Sequence, residues 1–273
     1  MPASPADRPA DHALPTVEIA VQDPAGALVA AAGGAARVEL CSALAATGGI
    51  TPSAGLLAAV LAVLRAGDGG PGGTRPGGRH LGVHVGVHVL VRPRPGGFVY
   101  TADELDVQVR DVEAAVAAGA EGVVVGALTA DGRVDTAAVR RFVAAAAGRE
   151  VTFHRAFDVL DDRLAGLDVL AELGVTRVLS SGGEERCIDG VRELAVMVAH
   201  TAGAVQVMAG GGLRPPDISA MVAAGVDAVH LSASRAVPGD GGPGGGGGAG
   251  HTVTDPELVR AAADALRAAA ARV

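Results

Sequence analysis

A chain of 273 residues with 22 basic and 30 acidic side chains carries a formal net charge of −8, and every one of its basic residues is arginine. Without lysine there is no amine for a Schiff-base aldolase, for holding pyridoxal phosphate or for the phosphates of a P-loop. Four Phe, one Tyr and no Trp leave almost nothing to stack on bases, and together with the acidic balance this argues against nucleic acid as a partner.

In chain order, Met1–Pro15 is rich in Pro, Ala and Asp and reads as a disordered tail, ahead of one domain over 16–273. Eight short β-branched runs follow, at Val17–Val21, Arg37–Ser42, Val85–Arg92, Gly122–Leu128, Val151–Phe157, Arg177–Ser181, Val205–Met208 and Ala228–Ser232. Helical segments separate them. Ser53–Arg65 is apolar, and Thr101-Ala-Asp-Glu104 is a capping box for a helix to Ala118. Further helices run from Asp135 to Ala147, from Asp161 or Asp162 to Leu173, from Glu184 to Ala199 and from Pro216 to Ala224. Thr254-Asp-Pro-Glu257 reads as a second capping box opening the last helix. The Gly-rich stretches 67–78 and 239–250 read as surface insertions. Eight strand–helix repeats in this length predict an α/β fold, a single (β/α)8 TIM-barrel-like domain. Two cysteines, no apolar leader region and no membrane-length apolar run point to a cytoplasmic protein with no membrane partner.

Strand parity sharpens the prediction. Successive side chains alternate between the barrel interior and the helices. With Val17, Ile19, Val38, Leu40, Val89, Val91, Val151, Phe153, Val205, Val207, Val229 and Leu231 facing the helices, the inward set is polar. It comprises Glu18, Glu39, His88, Arg92, Thr152, His154, Gln206, His230 and Ser232, with Cys41, Leu90 and Met208. Barrels normally fill this space with Val, Ile and Leu. Buried charge is costly unless paired, so acids, imidazoles and an arginine on separate strands are expected to compensate one another. Active sites of this architecture lie at the C-terminal strand ends, and phosphate sites follow strands seven and eight. Gly210, Gly211 and Gly212, then Ser232 and Ser234, are candidate anion-binding residues there. Ser180-Ser-Gly-Gly183 adds possible donors, and Arg92, Arg94 and Arg155 supply fixed positive charge.

Two metal patterns present themselves. His80, His84 and His88 recur every four residues, but the intervening Gly and Val residues make a strand, along which they spread too far for one ion. Cys41, Met208, His154 and His230 are soft or borderline donors of inward parity, a set suited to Cu(I).

The segments VELCSALAATGGITPS (Val38–Ser53), HVLVRPRPGGFVYTADE (His88–Glu104), GVVVGALTADGRVD (Gly122–Asp135), VTFHRAFD (Val151–Asp158), RVLSSGG (Arg177–Gly183) and VMAGGGL (Val207–Leu213) together resemble the CutC family, named for copper homeostasis. The resemblance implies a TIM-barrel-like fold, a cytosolic homo-oligomer (dimer or higher) and copper as the ligand, with no other cofactor. Cys41, within its ELC motif, is the one position that carries over as a copper contact; Met208 and His230, singled out by parity and donor type, would assist it as metal ligands. The alternative from the residues themselves is a lysine-independent isomerase or epimerase acting on a small anionic or phosphorylated metabolite. Arg155 and the glycine amides would hold the anion, Arg92 would add charge, Glu18 or Glu39 would be the base and His154 the acid. A third reading is a binding or scaffold protein that has kept the barrel and no chemistry.

Overall fold

The structure is a computed structural model that describes residues 14–67, 84–239 and 250–272. The expectations for the N-terminal tail and for all but the ends of the two Gly-rich insertions lie outside the described residues, as does His80.

Eight parallel strands, β1 (Thr16–Val21), β2 (Arg37–Leu40), β3 (Gly86–Leu90), β4 (Gly122–Val125), β5 (Glu150–Phe153), β6 (Arg177–Ser180), β7 (Gln206–Gly210) and β8 (Ala228–Leu231), pair in sequence order and close β8 onto β1. The helices are α1 (Pro24–Ala32), α2 (Leu44–Thr47), α3 (Ala54–Gly67), α4 (Ala102–Ala118), α5 (Thr136–Ala145), α6 (Arg163–Glu172), α7 (Val191–Thr201), α8 (Ile218–Ala223) and α9 (Pro256–Ala270). This is the (β/α)8 barrel. A two-stranded antiparallel hairpin, β9 (Ser234–Val237) with β10 (His251–Thr254), follows β8. Among the described residues no helix is long and apolar enough to cross a membrane.

Capping chemistry accounts for most helix starts. Thr101 and Glu104 form the reciprocal capping box of α4, and the Asp135 and Asp162 carboxylates accept from backbone N–H groups of α5 and α6. Four sequence expectations need correction or completion. The helix after the first strand was expected without bounds; it is α1, and its signal is Asp23-Pro24, where the aspartate caps and proline takes the first helical position. The last helix is capped by the Asp255 side chain, which accepts from the Glu257 and Leu258 amides, rather than by a box on Thr254, whose residue pairs in β10. α7 begins at Val191, not Glu184, because the Glu184 carbonyl is held by Ser181 and Arg155 and the Cys187 amide donates to the Gly211 carbonyl. Strands β2, β4 and β5 end before the expected Ser42, Leu128 and Phe157, because the chain turns out of the ladder at the mouth. After β5 it winds into a 3-10 turn over Arg155–Val159.

The main hydrophobic core lies between strands and helices, where Val38, Val89, Phe153, Val207 and Val229 meet Phe142, Leu170, Leu194, Met197 and Met221. Inside the barrel apolar packing is confined to two small clusters, Cys41–Leu90–Val124 and Leu179–Met208–Ala228. The rest of the interior is polar and buried: Glu18, Arg37, Glu39, His88, Arg92, Thr152, His154 and Arg177. Strand register explains its pairing. Glu18 stands beside Arg37 on β2 and beside His230 on β8. Its carboxylate accepts from Arg37 Nε and lies 2.7 Å from His230 Nδ1. Lower in the barrel Arg177 donates to Gln206 and to Glu150, 3.0 Å away, and Arg37 Nη1 lies 3.9 Å from the same Glu150 oxygen. Arg37 and Arg177 share the parity of Glu39 and Leu179, the signal that sequence reasoning passed over.

Breaking a buried pair leaves an uncompensated charge and costs about 3–5 kcal/mol. Glu18→Gln is expected to lose stability of that order in urea unfolding. The double substitution Glu18→Gln with Arg37→Met is expected to recover part of the loss, and equal losses in the two proteins would show that the pair carries no special weight.

Candidate functional site

Where the strands end, their inward side chains and the following loops enclose a cavity of about 330 Å³. Glu39 from β2, Arg92 after β3, His154 and Arg155 after β5, Gly211 and Gly212 after β7, and His230 and Ser232 from β8 and its loop all line it. Sequence reasoning named each of these. It gave no role to Phe98, Leu44 and Gly48, which close the sides. Their loops carry no periodic pattern to betray them.

One acid–imidazole ladder rises from the barrel interior into the cavity. Glu18 lies beneath it, fully buried. Burial alone would push its carboxyl up, but Arg37 and the hydrogen bond with His230 hold it well below the usual carboxylate range. Glu18 is therefore a charged acceptor that orients His230, and it does not line the cavity. His230 Nε2 is then turned towards Glu39, 3.7 Å from Oε2. Burial would lower the His230 pKa, but the bond to Glu18 and the charges of both carboxylates raise it overall. Glu39 is pushed up from 4.5 to about 7, chiefly by burial and also by the neighbouring Glu18 charge, against the pull of His230 and Arg37. A carboxyl near neutrality can take and return a proton at the working pH.

The two guanidinium groups differ. Arg155 donates from Nε to Asp158, 2.8 Å away, and from Nη2 to the Ser181 hydroxyl at 2.9 Å. Asp158 also accepts from Ser180 Oγ and the Ser181 amide, which latches the β6 loop beneath the site. Arg92 is held by three carbonyls: Nη1 donates to Thr47 at 2.8 Å and Gly49 at 3.0 Å, and Nη2 donates to Gly96 at 2.9 Å. Its Cζ lies 5.4 Å from the centre of the Phe98 ring. Among the described residues no carboxylate pairs with Arg92, so a buried cation borders the cavity without a counter-charge.

His154 caps the 3-10 turn, its Nδ1 accepting from the Ala156 amide at 3.1 Å. Burial, with Arg92 adding to it, pushes its pKa down to about 3. The imidazole is neutral, which suits a hydrogen-bond donor better than the proton-donating acid of the sequence reading.

Other candidates lie elsewhere. Gly210 is still within β7, packed against Leu179 and His230; an added Cβ there would come within 3.0 Å of His230 Cβ. Ser234 begins β9 and pairs with Thr254. Arg94 is bound to Glu104 and to backbone carbonyls of its own loop. Gly211 and Gly212, at φ +107° and +61°, make the left-handed turn that brings the chain under Arg155. The three proposed metal ligands are not gathered. Cys41 packs with Leu90 and Val124, Met208 packs in the separate cluster with Leu179 and Ala228, and His230 belongs to the acid ladder. Among the described residues no group of three or more His, Cys, Asp and Glu side chains is placed to hold a metal ion.

A closed eight-stranded barrel with acid, imidazole and guanidinium groups lining a cavity at its C-terminal mouth defines a (β/α)8 protein. The CutC family model matches residues 15–235, and the chain belongs to that family. It is 39% identical over 223 residues to a CutC family protein of Sinorhizobium medicae (strain WSM419), covering 81% of this chain and 82% of the relative. A CutC family protein of Caulobacter vibrioides (strain NA1000 / CB15N) is 38% identical over 224 residues, covering 82% and 83%. A solved structure described as a copper homeostasis protein CutC, from Streptococcus agalactiae, superposes with a TM-score of 0.70 at 28% identity, over 80% of this chain and 99% of that one. A phosphoribosyl anthranilate isomerase from Thermus thermophilus (TM-score 0.52, 15% identity, 93% and 98% covered) shares the fold alone.

With a folded pKa near 7 against 4.5 when unfolded, Glu39 contributes stability that is fully present below about pH 4.5 and lost as pH rises to about 7. Glu39→Gln, neutral throughout, does not lose it. The melting temperature of the variant relative to wild type is expected to climb between pH 4.5 and 7 and to level off above. Parallel melting profiles across that window would show an ordinary carboxyl.

Proposed function

We propose that the barrel mouth binds a small organic anion of phosphate or carboxylate type and moves a proton on it, as an isomerase or epimerase does. The observation that carries this reading is an unpaired Arg92 cation in the same cavity as Glu39, a buried carboxyl poised near neutrality. A buried charge without a partner is expensive, and an anionic ligand supplies the missing one. Ser232 and the Gly211–Gly212 turn, after the strands where this architecture commonly takes phosphate, form a second wall with Arg155, which follows β5. Glu39 removes a proton as carboxylate and returns it as carboxylic acid, and His230, fixed by Glu18, shares its charge during the exchange. A chain without lysine has no imine route.

The Streptococcus agalactiae structure is described as that of a copper homeostasis protein. Among the described residues, Cys41, Met208 and His230 do not fit a Cu(I) site. The Cys41 thiol faces the Val21 carbonyl at 3.8 Å, and burial pushes its pKa up. Met208 Sδ takes a contact from the Arg37 guanidinium at 3.3 Å, so it faces a cation. Both ring nitrogens of His230 face carboxylates. No step is assigned to copper. The two free, buried cysteines are compatible with a reducing cytosolic setting.

Two measurements test the reading. Calorimetric titration with inorganic phosphate and simple phosphate monoesters is expected to show binding that Arg92→Gln weakens at least about tenfold, the worth of one charge-assisted bond. No binding of any anion would end the proposal. Titration with Cu(I) is expected to give the same affinity for wild type and Cys41→Ser. A large loss in the variant would restore the thiol to a metal-binding role.

A further inference from the structure

Resting on the reading above, we infer that the anion carries a carbonyl group next to the carbon that Glu39 deprotonates, and that His154 Nε2–H and Arg92 together receive the oxyanion that forms.

The inference begins with a tautomer. His154 Nδ1 accepts from the Ala156 amide, so the ring proton resides on Nε2. That Nε2 is buried and has no hydrogen-bond partner. Buried polar groups are almost always satisfied, and an orphan in a functional cavity calls for an explanation. Arg92 Nε is orphaned and buried in the same way. Both residues line the cavity, and both lie against Phe98: its ring centre is 5.0 Å from that of His154 and 5.4 Å from Arg92 Cζ. Two donor atoms without a hydrogen-bond partner thus share one apolar wall. The backbone keeps the space clear. A Cβ on Gly126 would stand 2.5 Å from His154 Nδ1, so only glycine lets the ring lie where it does.

This is the arrangement for accepting negative charge on oxygen. A neutral imidazole cannot lose its role by titrating near neutrality, and His154, held far below its ordinary pKa by burial and Arg92, stays neutral. The step balances within the site. Glu39 carboxylate takes the proton from the carbon beside the carbonyl, the C–H bond breaks, and its electron pair forms the carbon–carbon double bond of an enolate. The carbonyl oxygen gains the negative charge and accepts from His154 Nε2–H and Arg92. Glu39, now protonated, returns the proton to a carbon: to the same carbon after the enolate has turned its other face to Glu39, for epimerisation, or to the former carbonyl carbon of a hydroxycarbonyl, for isomerisation, the hydroxyl proton then passing to the neighbouring oxyanion as the new carbonyl forms. No oxidant, reductant or second substrate is required. The ligand class is therefore a small hydroxycarbonyl or oxo compound bearing phosphate or carboxylate.

The test compares two probes by calorimetry: phosphoglycolohydroxamate, which imitates an enediolate joined to phosphate, and 2-hydroxyethyl phosphate, which lacks the carbonyl oxygen. Wild type is expected to prefer the hydroxamate by about tenfold or more. His154→Phe is expected to lose that preference while holding 2-hydroxyethyl phosphate within about threefold of wild type. Imidazole 15N NMR of the wild-type protein at pH 7 reports independently of whether the variant folds: His154 is expected as the Nε2–H tautomer, its Nε2 proton shifting when the hydroxamate binds. Binding of both probes without preference, an Nδ1–H tautomer or an imidazolium at pH 7 would overturn this inference and leave the anion site standing. Failure of both probes to bind would remove the anion site and this inference with it.

Discussion

Glu18 is the constraint on which the interior depends. A carboxylate with no exposure to water sits at the centre of a barrel that would ordinarily hold Val, Ile and Leu. It is tolerable because register puts Arg37 beside it on one strand and His230 beside it on the other. The desolvation of each ion is offset only while both contacts hold, so the closure of β1 against β2 and β8 and the charge state of the interior are one condition. The same carboxylate fixes which ring nitrogen of His230 faces the mouth. Structure and chemistry thus share an anchor.

Above and below that anchor the barrel is electrostatically unequal. Below it, Arg37, Arg177, Glu150 and Gln206 answer one another, and His88, pushed down to about 4 by burial, adds no charge. Above it, Arg92 is held by three carbonyls and meets no carboxylate among the described residues, while Glu39 is kept near neutrality by burial. The lower half is an ionic plug in which Arg177 and Arg37 both reach the Glu150 carboxylate. The upper half holds unused hydrogen-bonding capacity around a cavity, the asymmetry expected of a barrel that binds at its C-terminal end. The loops that frame this end are tied down: Asp158 gathers Ser180, Ser181 and Arg155, and the Cys187 amide reaches Gly211. Such latching keeps the mouth preorganised, as electrostatic work on a small ligand requires.

Much of this was legible without coordinates. Eight β-branched runs alternating with helical segments indicated the barrel, and the alternation within each run sorted Glu18, Glu39, Arg92, His154 and His230 from their helix-facing neighbours. Arg37, Arg177 and Glu150 obey the same alternation; they were overlooked because they open their strands, where a charged residue ordinarily reads as a solvated end. Ser234 and Arg94 were misassigned for the opposite reason. Their positions just past strand ends suggested the rim, but pairing with β10 and with Glu104 draws them away.

Periodicity and residue type, which are local, determined on their own that this chain folds as a (β/α)8 barrel, which faces turn inward and that no lysine chemistry operates. Only the tertiary structure decided what those inward groups are. Register selected which charge neutralises which, loop paths left Arg92 with carbonyls while giving Arg155 an aspartate, and one backbone amide chose the tautomer of His154. Those outcomes depend on distances between residues far apart in the chain, and alternation along a single strand carries no information about its neighbour's register.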